Sequence, residues 1–177
     1  QPHVIVPLGV AHYLKKNGIS NVEELDWWSA VDHQLKITAV PAQHFSGRGF
    51  FDRDQSLWCG YVLEHANKKF YFAGDSGYGD FFKEIGQKMG PMDISLIPIG
   101  AYLPKWFMSP IHVSPDESLM IHRDVKSKQS IAMHFGTFPL ADDGMGRAEK
   151  DLKLAIEKAV VPPEDFLIPD EGVPLEF

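Results

Sequence analysis

Apolar positions along the chain fall into short runs separated by polar and glycine-containing turns. His3 to Val6 predicts a short strand. Pro7 suits the first turn of a helix, and Gly18, after Lys15-Lys16-Asn17, suits its stop. Val22 to Trp28 predicts a polar-interrupted strand, and Leu35 to Val40 is β-rich and ends at Pro41. Ser56 to His65 and Lys69 to Ala73 flank Ala66-Asn67-Lys68, the pattern of a hairpin. A helix is expected from about Gly79 to Met89, closed by Gly90-Pro91. Ile94 to Ile99 is continuously apolar, as a buried strand is. Ser114-Pro115-Asp116-Glu117 combines an N-cap, a proline at the first helical position and a capping-box glutamate. Ser130 to Met133 is a further short strand. In Arg147 to Val160, residues Leu152, Ala155, Ile156 and Ala159 share one helical face. The alternation predicts an α/β domain with helices packed on a mixed sheet.

Composition narrows the function. The 177 residues suit one domain with a sizeable core. A net charge of −7 leaves no broad basic surface for nucleic acid. Cys59 is the only cysteine, which excludes an internal disulfide and a cysteine-held metal. No apolar run approaches the ~20 residues that span a bilayer, so a location in the cytoplasm or at a membrane surface stays open. The chain lacks an initiator Met and starts inside a strand pattern, which predicts a piece of a longer protein.

Three strands end in the same way. One runs Val40-Pro41-Ala42-Gln43-His44, a second Ala73-Gly74-Asp75, and a third Ala132-Met133-His134. The C-terminal edge of an α/β sheet is where chemistry usually sits. Imidazole nitrogen and carboxylate oxygen are common zinc ligands, and the two carboxylate oxygens of an Asp can each take one ion. Taken singly, each histidine reads more readily as a hydrogen-bonded structural residue, and Asp75 as a turn or helix cap; three of them on three strand ends put the metal reading level with that one. Separations of 31 and 59 residues match no local motif, so only the fold can join them.

Several stretches carry a family resemblance: Glu24-Leu25-Asp26-Trp27-Trp28, Pro41-Ala42-Gln43-His44, Phe72-Ala73-Gly74-Asp75-Ser76-Gly77-Tyr78, Ile97-Pro98-Ile99-Gly100-Ala101-Tyr102, Trp106-Phe107-Met108 with His112-Val113, and His134-Phe135-Gly136-Thr137-Phe138. In this order they resemble the C-terminal part of a metallo-β-lactamase-fold hydrolase. The branch is that of N-acyl-phosphatidylethanolamine-hydrolysing phospholipase D and its RomA-like relatives. The resemblance implies the C-terminal portion of an αββα sandwich with a mixed sheet and zinc at one edge. It implies His44 as a ligand of a first metal, His134 of a second, and Asp75 as the bridging, catalytic carboxylate. His112 would orient a phosphate oxygen or act as an acid. The implied reaction is zinc-dependent hydrolysis of a small-molecule or lipid phosphodiester, such as an N-acyl phospholipid, by a metal-bound hydroxide. Two alternatives stand beside it: a lactonase or other ester hydrolase of the same fold, or an inactive, metal-free remnant.

One departure qualifies the resemblance. The superfamily's His-x-His-x-Asp-His motif is absent: the histidines lie at 3, 12, 33, 44, 65, 112, 122 and 134. Residues 1–177 then form one domain lacking that segment, with a partial or empty zinc site and activity reserved to the longer parent. Missing strands should also leave an apolar surface, with Val4, Val6, Ile37 and Val40 as candidates, and favour a homodimer or association with the missing segment. The Tyr102–Met108 loop either lines an acyl channel, touches a membrane or caps the core. Trp27-Trp28 reads as core packing, and His12, His33, His65 and His122 as surface or structural residues.

Overall fold

A computed structural model of the protein describes residues 2–175. Its centre is a seven-stranded sheet, built in sequence order from β3 (Ala30–Asp32), β4 (Lys36–Val40), β5 (Gly60–His65), β6 (Lys68–Phe72), β7 (Met92–Pro98), β8 (Ser127–Met133) and β9 (Phe166–Leu167). β3 to β6 pair antiparallel, and β6 to β9 pair parallel. A separate parallel pair, β1 (Val4–Pro7) and β2 (Val22–Leu25), is joined by helix α1 (Ala11–Lys16).

Strand alternation gives the large sheet two unlike faces. Val40, Val62, Tyr71, Ile97, Ala132 and Phe166 are buried in one core. Helices α2 (Phe81–Lys88), α4 (Pro115–Asp124) and α5 (Arg147–Ala159) cover it with Phe82 and Ile85, Leu119 and Ile121, and Leu152 and Ile156. On the opposite face, the β1–β2 pair packs Leu25 and Ile5 against Val31, Ile37, Ala39 and Tyr61. Beyond that patch an apolar groove of about 570 Å³ opens between Val4, Ile5, Leu63, Phe70, Phe72 and Leu96.

Local chemistry explains most boundaries. Ala66 and Asn67 both take positive φ, 48° and 63°, as a two-residue hairpin turn requires. At the start of α4, Glu117 Oε2 accepts from both the Ser114 amide and the Ser114 hydroxyl at 2.8 Å. α5 ends where Val160 turns left-handed.

Some expectations need correction. Pro7 closes β1 instead of opening a helix, and α1 starts only at Ala11, because Pro7 and Leu8 bond alongside Leu25 of β2. The strand from Val22 stops at Leu25, and Trp28 turns away at φ 67°. Val40 is not on the uncovered side: it is one residue out of phase with Ala39, faces the helices and is fully buried. Val6 is buried as well, whereas Val4 and Ile37 do line the groove. Among the described residues no helix is long and apolar enough to cross a membrane.

Candidate metal centre

Four side chains from four loops meet beyond the C-terminal ends of the strands. His44 follows β4, Asp75 follows β6, His134 follows β8, and His112 ends the segment between β7 and α4. His134 Nε2 lies 3.1 Å and His112 Nδ1 3.7 Å from Asp75 Oδ1. Donor atoms of His44, Asp75 and His112 all lie within 4.8 Å of one another. The His112 ring stacks on His134 at 5.2 Å and meets His44 edge-on at 5.4 Å.

The loops are tied together by Gln43. Its amide donates to Ser76 Oγ at 2.9 Å, its carbonyl accepts from the Gly77 amide at 2.8 Å, and its side-chain nitrogen donates to Pro110 O at 2.8 Å. One residue thus registers the His44, Asp75 and His112 loops. Gly77 is required by this contact: a Cβ there would sit 2.6 Å from Pro110 O. Gly100 does the same for the fourth loop, since its Cβ would fall 2.2 Å from His134 O. His134 itself adopts φ 58°, a left-handed conformation that costs about 1–3 kcal/mol and is found at functional sites.

The electrostatics of the cluster are mutual. Burial pushes the Asp75 carboxyl up, but His134, His112 and His44 together outweigh it and hold it below the usual carboxylate range. The Asp75 contact raises His134 despite its burial. Burial lowers His112, and its imidazole neighbours add to that against the pull of Asp75.

The donor set fits a metal ion on its own chemistry. His44 Nε2, Asp75 Oδ1, His112 Nδ1 and His134 Nδ1 are buried with no hydrogen-bond partner. The 3.1 Å approach of His134 to Asp75 is therefore an ion-pair distance without hydrogen-bond alignment. Buried polar atoms are rarely left unpaired, and imidazole nitrogens beside a carboxylate oxygen are a donor set that a cation would satisfy. His44 Nδ1 lies 3.0 Å from Phe45 O, where only its protonated form can bond, which leaves the Nε2 lone pair for a ligand.

His44, Asp75 and His134 thus meet at one edge of the sheet, and His112 lies among them, closer to His44 and Asp75 as a set than the sequence led one to expect. Beside His134 lies a cavity of about 270 Å³ bounded by Gly100, Ala101, Thr137, Asp143 and Glu149. Asp143 had no place in the sequence reading. It accepts from the Ala101 amide at 3.0 Å through Oδ2, while its Oδ1 is buried and unpaired. Its Ala-Asp-Asp-Gly setting looks like any polar loop, and no spacing signal marks it.

Comparison with known proteins identifies the family and the fold. Residues 1–135 match the β-lactamase superfamily domain, and the chain belongs to that family. Over 146 residues it is 41% identical to N-acyl-phosphatidylethanolamine-hydrolyzing phospholipase D 1 of Caenorhabditis elegans, covering 76% of this chain and 41% of that protein. The chain therefore spans about two fifths of that relative's length. It is 39% identical over 103 residues to outer membrane protein RomA of Klebsiella pneumoniae, covering 58% of this chain and 76% of that protein. Among solved structures, Igni18, a metallo hydrolase of Ignicoccus hospitalis, superposes with a TM-score of 0.73 at 20% identity, over 98% of this chain and 68% of that one. The fold is that of a metallo-β-lactamase.

Proposed function

We propose that this domain is the metal-binding part of a zinc-dependent hydrolase that cleaves the phosphodiester bond of a lipid, as a phospholipase D acting on an N-acyl phospholipid does. The observation that carries the reading is the convergence of His44, Asp75 and His112, which offer ligand atoms within 4.8 Å of one another and each keep a buried polar atom without a hydrogen-bond partner, with His134 Nε2 3.1 Å from Asp75. In this reading His44, Asp75 and His134 would hold the metal. Zinc would supply Lewis-acid stabilisation of charge on a phosphoryl oxygen and acidify water. His112, positioned by the Gln43 to Pro110 tie, orients a phosphate oxygen beside Asp75.

The lipid part of the reading rests on the 41% identity to a protein named for such a substrate. It is supported by Trp106, 82% exposed, and Phe107, 60% exposed, on the short helix Lys105–Met108 a few residues before His112 in the chain. Such side chains suit peripheral contact with a membrane. The four donors fall short of two complete coordination shells, so the parent protein is expected to be active and these 177 residues alone inactive.

Zinc content and turnover in the full-length protein test the proposal, with bis(p-nitrophenyl) phosphate, N-acyl-phosphatidylethanolamine vesicles and a lactone panel as substrates. Asp75→Asn and His134→Ala are expected to lose zinc and on the order of 10²-fold or more in kcat. Turnover of lactones without phosphodiesters would replace the reaction assigned here. A folded protein that takes up no zinc would reduce the domain to a structural or interaction module.

A further inference from the structure

A second cluster of metal-ligating side chains lies away from the first. His3 immediately precedes β1, Glu23 is on β2 beside Ile5 of β1, and His33 is in the turn joining β3 to β4. His33 precedes the start of β4, while His44 follows its end; five strand residues, roughly 17 Å, separate the two clusters. His3 Nε2 and His33 Nε2 lie 3.3 and 3.7 Å from the same oxygen, Glu23 Oε2. The three donor atoms all lie within 4.8 Å of one another. The two rings meet edge-on, 5.2 Å apart at 63°.

The two histidine–glutamate separations are close to those of ligands around one ion. With metal–nitrogen and metal–oxygen bonds of about 2.1 Å, the edge of a coordination tetrahedron is about 3.4 Å. Two imidazoles and one carboxylate select a borderline transition ion over calcium or magnesium, which prefer oxygen alone. The side chains are 34%, 41% and 60% exposed for His3, Glu23 and His33, so an ion can enter from solvent. The three residues come from two different sheets. An ion held there would fasten the β1–β2 pair to the edge hairpin of the large sheet, next to the apolar groove that His3 also lines.

We infer that His3, Glu23 and His33 form a second, structural site for a single divalent ion of the zinc and nickel class, completed by water, which clips the two sheets together. It neither touches nor requires the candidate metal centre. An ordinary pair of histidine–glutamate ion pairs would show the same distances without any affinity for metal.

Zinc titration of the metal-stripped chain by calorimetry, with thermal melts alongside, separates the two. The variant His44→Gln/Asp75→Asn, which removes the first centre, is expected to retain one zinc equivalent and a zinc-dependent rise in Tm. Adding His33→Gln or His3→Gln should abolish both. If the double variant fails to fold, the single His33→Gln change in the unaltered chain decides, because His33 is exposed. It should lose one zinc equivalent and part of the Tm rise while its circular dichroism stays the same. Unchanged stoichiometry and an unchanged Tm rise in His33→Gln, or a folded first-centre variant that binds no zinc, overturns the inference. Neither result depends on the reaction assigned to the first centre.

Discussion

Tyr71 and Phe72 are neighbours on β6 and live in different environments. Tyr71 is wholly buried beneath the helices, whereas Phe72 is 40% exposed. The same contrast divides Ile97 from Leu96 on β7 and Val62 from Leu63 on β5. One face of the sheet is a finished core closed by α2, α4 and α5. The other is closed only at its β3–β5 end, by the β1–β2 pair, and keeps an apolar groove open over β6 and β7. An apolar residue contributes through the contacts and area it removes from water, so chemically similar residues on the two faces should differ sharply in their contribution to stability.

The sharpest test uses adjacent positions. Ile97→Ala, on the covered face, is expected to cost about 2–5 kcal/mol of unfolding free energy. Leu96→Ala should cost less than half of that, because Leu96 already faces the groove. Chemical denaturation of both variants measures the difference. Equal losses would mean that something covers the second face in solution.

How much of this was legible in the sequence follows from length and phase. The apolar stretch Ile94 to Ile99, most of which lies in β7, and strong caps such as Ser114 to Glu117, declared themselves. β3 has three residues, α3 (Lys105–Met108) four and β9 two, too few for any periodicity to register. Face assignment failed at Val40 because a change of one residue reverses a strand's orientation, and Ile37 and Val40 are three apart. At the site, His44, Asp75 and His134 could be suspected because each ends an apolar strand. The position of His112 could not be derived locally. It depends on the Gln43 side chain reaching Pro110, 67 residues away. The close approaches at Gly77 and Gly100 are likewise set by loops distant in sequence.

A second test of the covered face uses acid. His122 on α4 is buried, with Nδ1 2.8 Å from Ser130 Oγ of β8 and its ring against Phe166 of β9. Burial holds its pKa below the ordinary 6.5, with Arg123 adding to this and Asp165 opposing. The unfolded chain therefore binds a proton near pH 6.5 that the folded chain refuses. Stability from this group is intact above 6.5 and falls as the pH drops from there to the folded-state pKa, by up to about 1.4 kcal/mol per pH unit. Denaturation curves across that window should show the slope, and His122→Gln should flatten it.

A smaller effect of opposite sign is expected at Tyr71. Its hydroxyl is buried without a hydrogen-bond partner, and burial drives its pKa up. Such a group carries an uncompensated desolvation cost, so removing it should help the fold. Tyr71→Phe is expected to raise stability by about 1 kcal/mol, read as a shift in denaturation midpoint at constant m-value. A loss of similar size would reveal a bound water or another partner for the hydroxyl within the covered core.

On the open face each substitution should change stability little, and it comes with the clearest change in association. Phe70 and Phe72 are 36% and 40% exposed, side by side with Leu63 and Leu96 in the groove. A ring that keeps roughly half of its surface from water contributes roughly half of what a fully buried one does, about 1 kcal/mol. Each change in the double variant Phe70→Ser/Phe72→Ser should therefore cost about 1 kcal/mol, less than Ile97→Ala does. Its behaviour at high concentration should differ. A contiguous apolar groove beside strands recruits a cover, whether further chain or a second copy, and two serines weaken that drive. Light scattering is expected to show the parent chain self-associating and the variant at the 19.9 kDa of a monomer. A parent chain that stays monomeric at high concentration would show that the groove tolerates water, and the difference between the two faces would then be one of packing density alone. A variant that loses at each of its two positions as much stability as Ile97→Ala does would mean that the groove closes in solution and that both faces are cores.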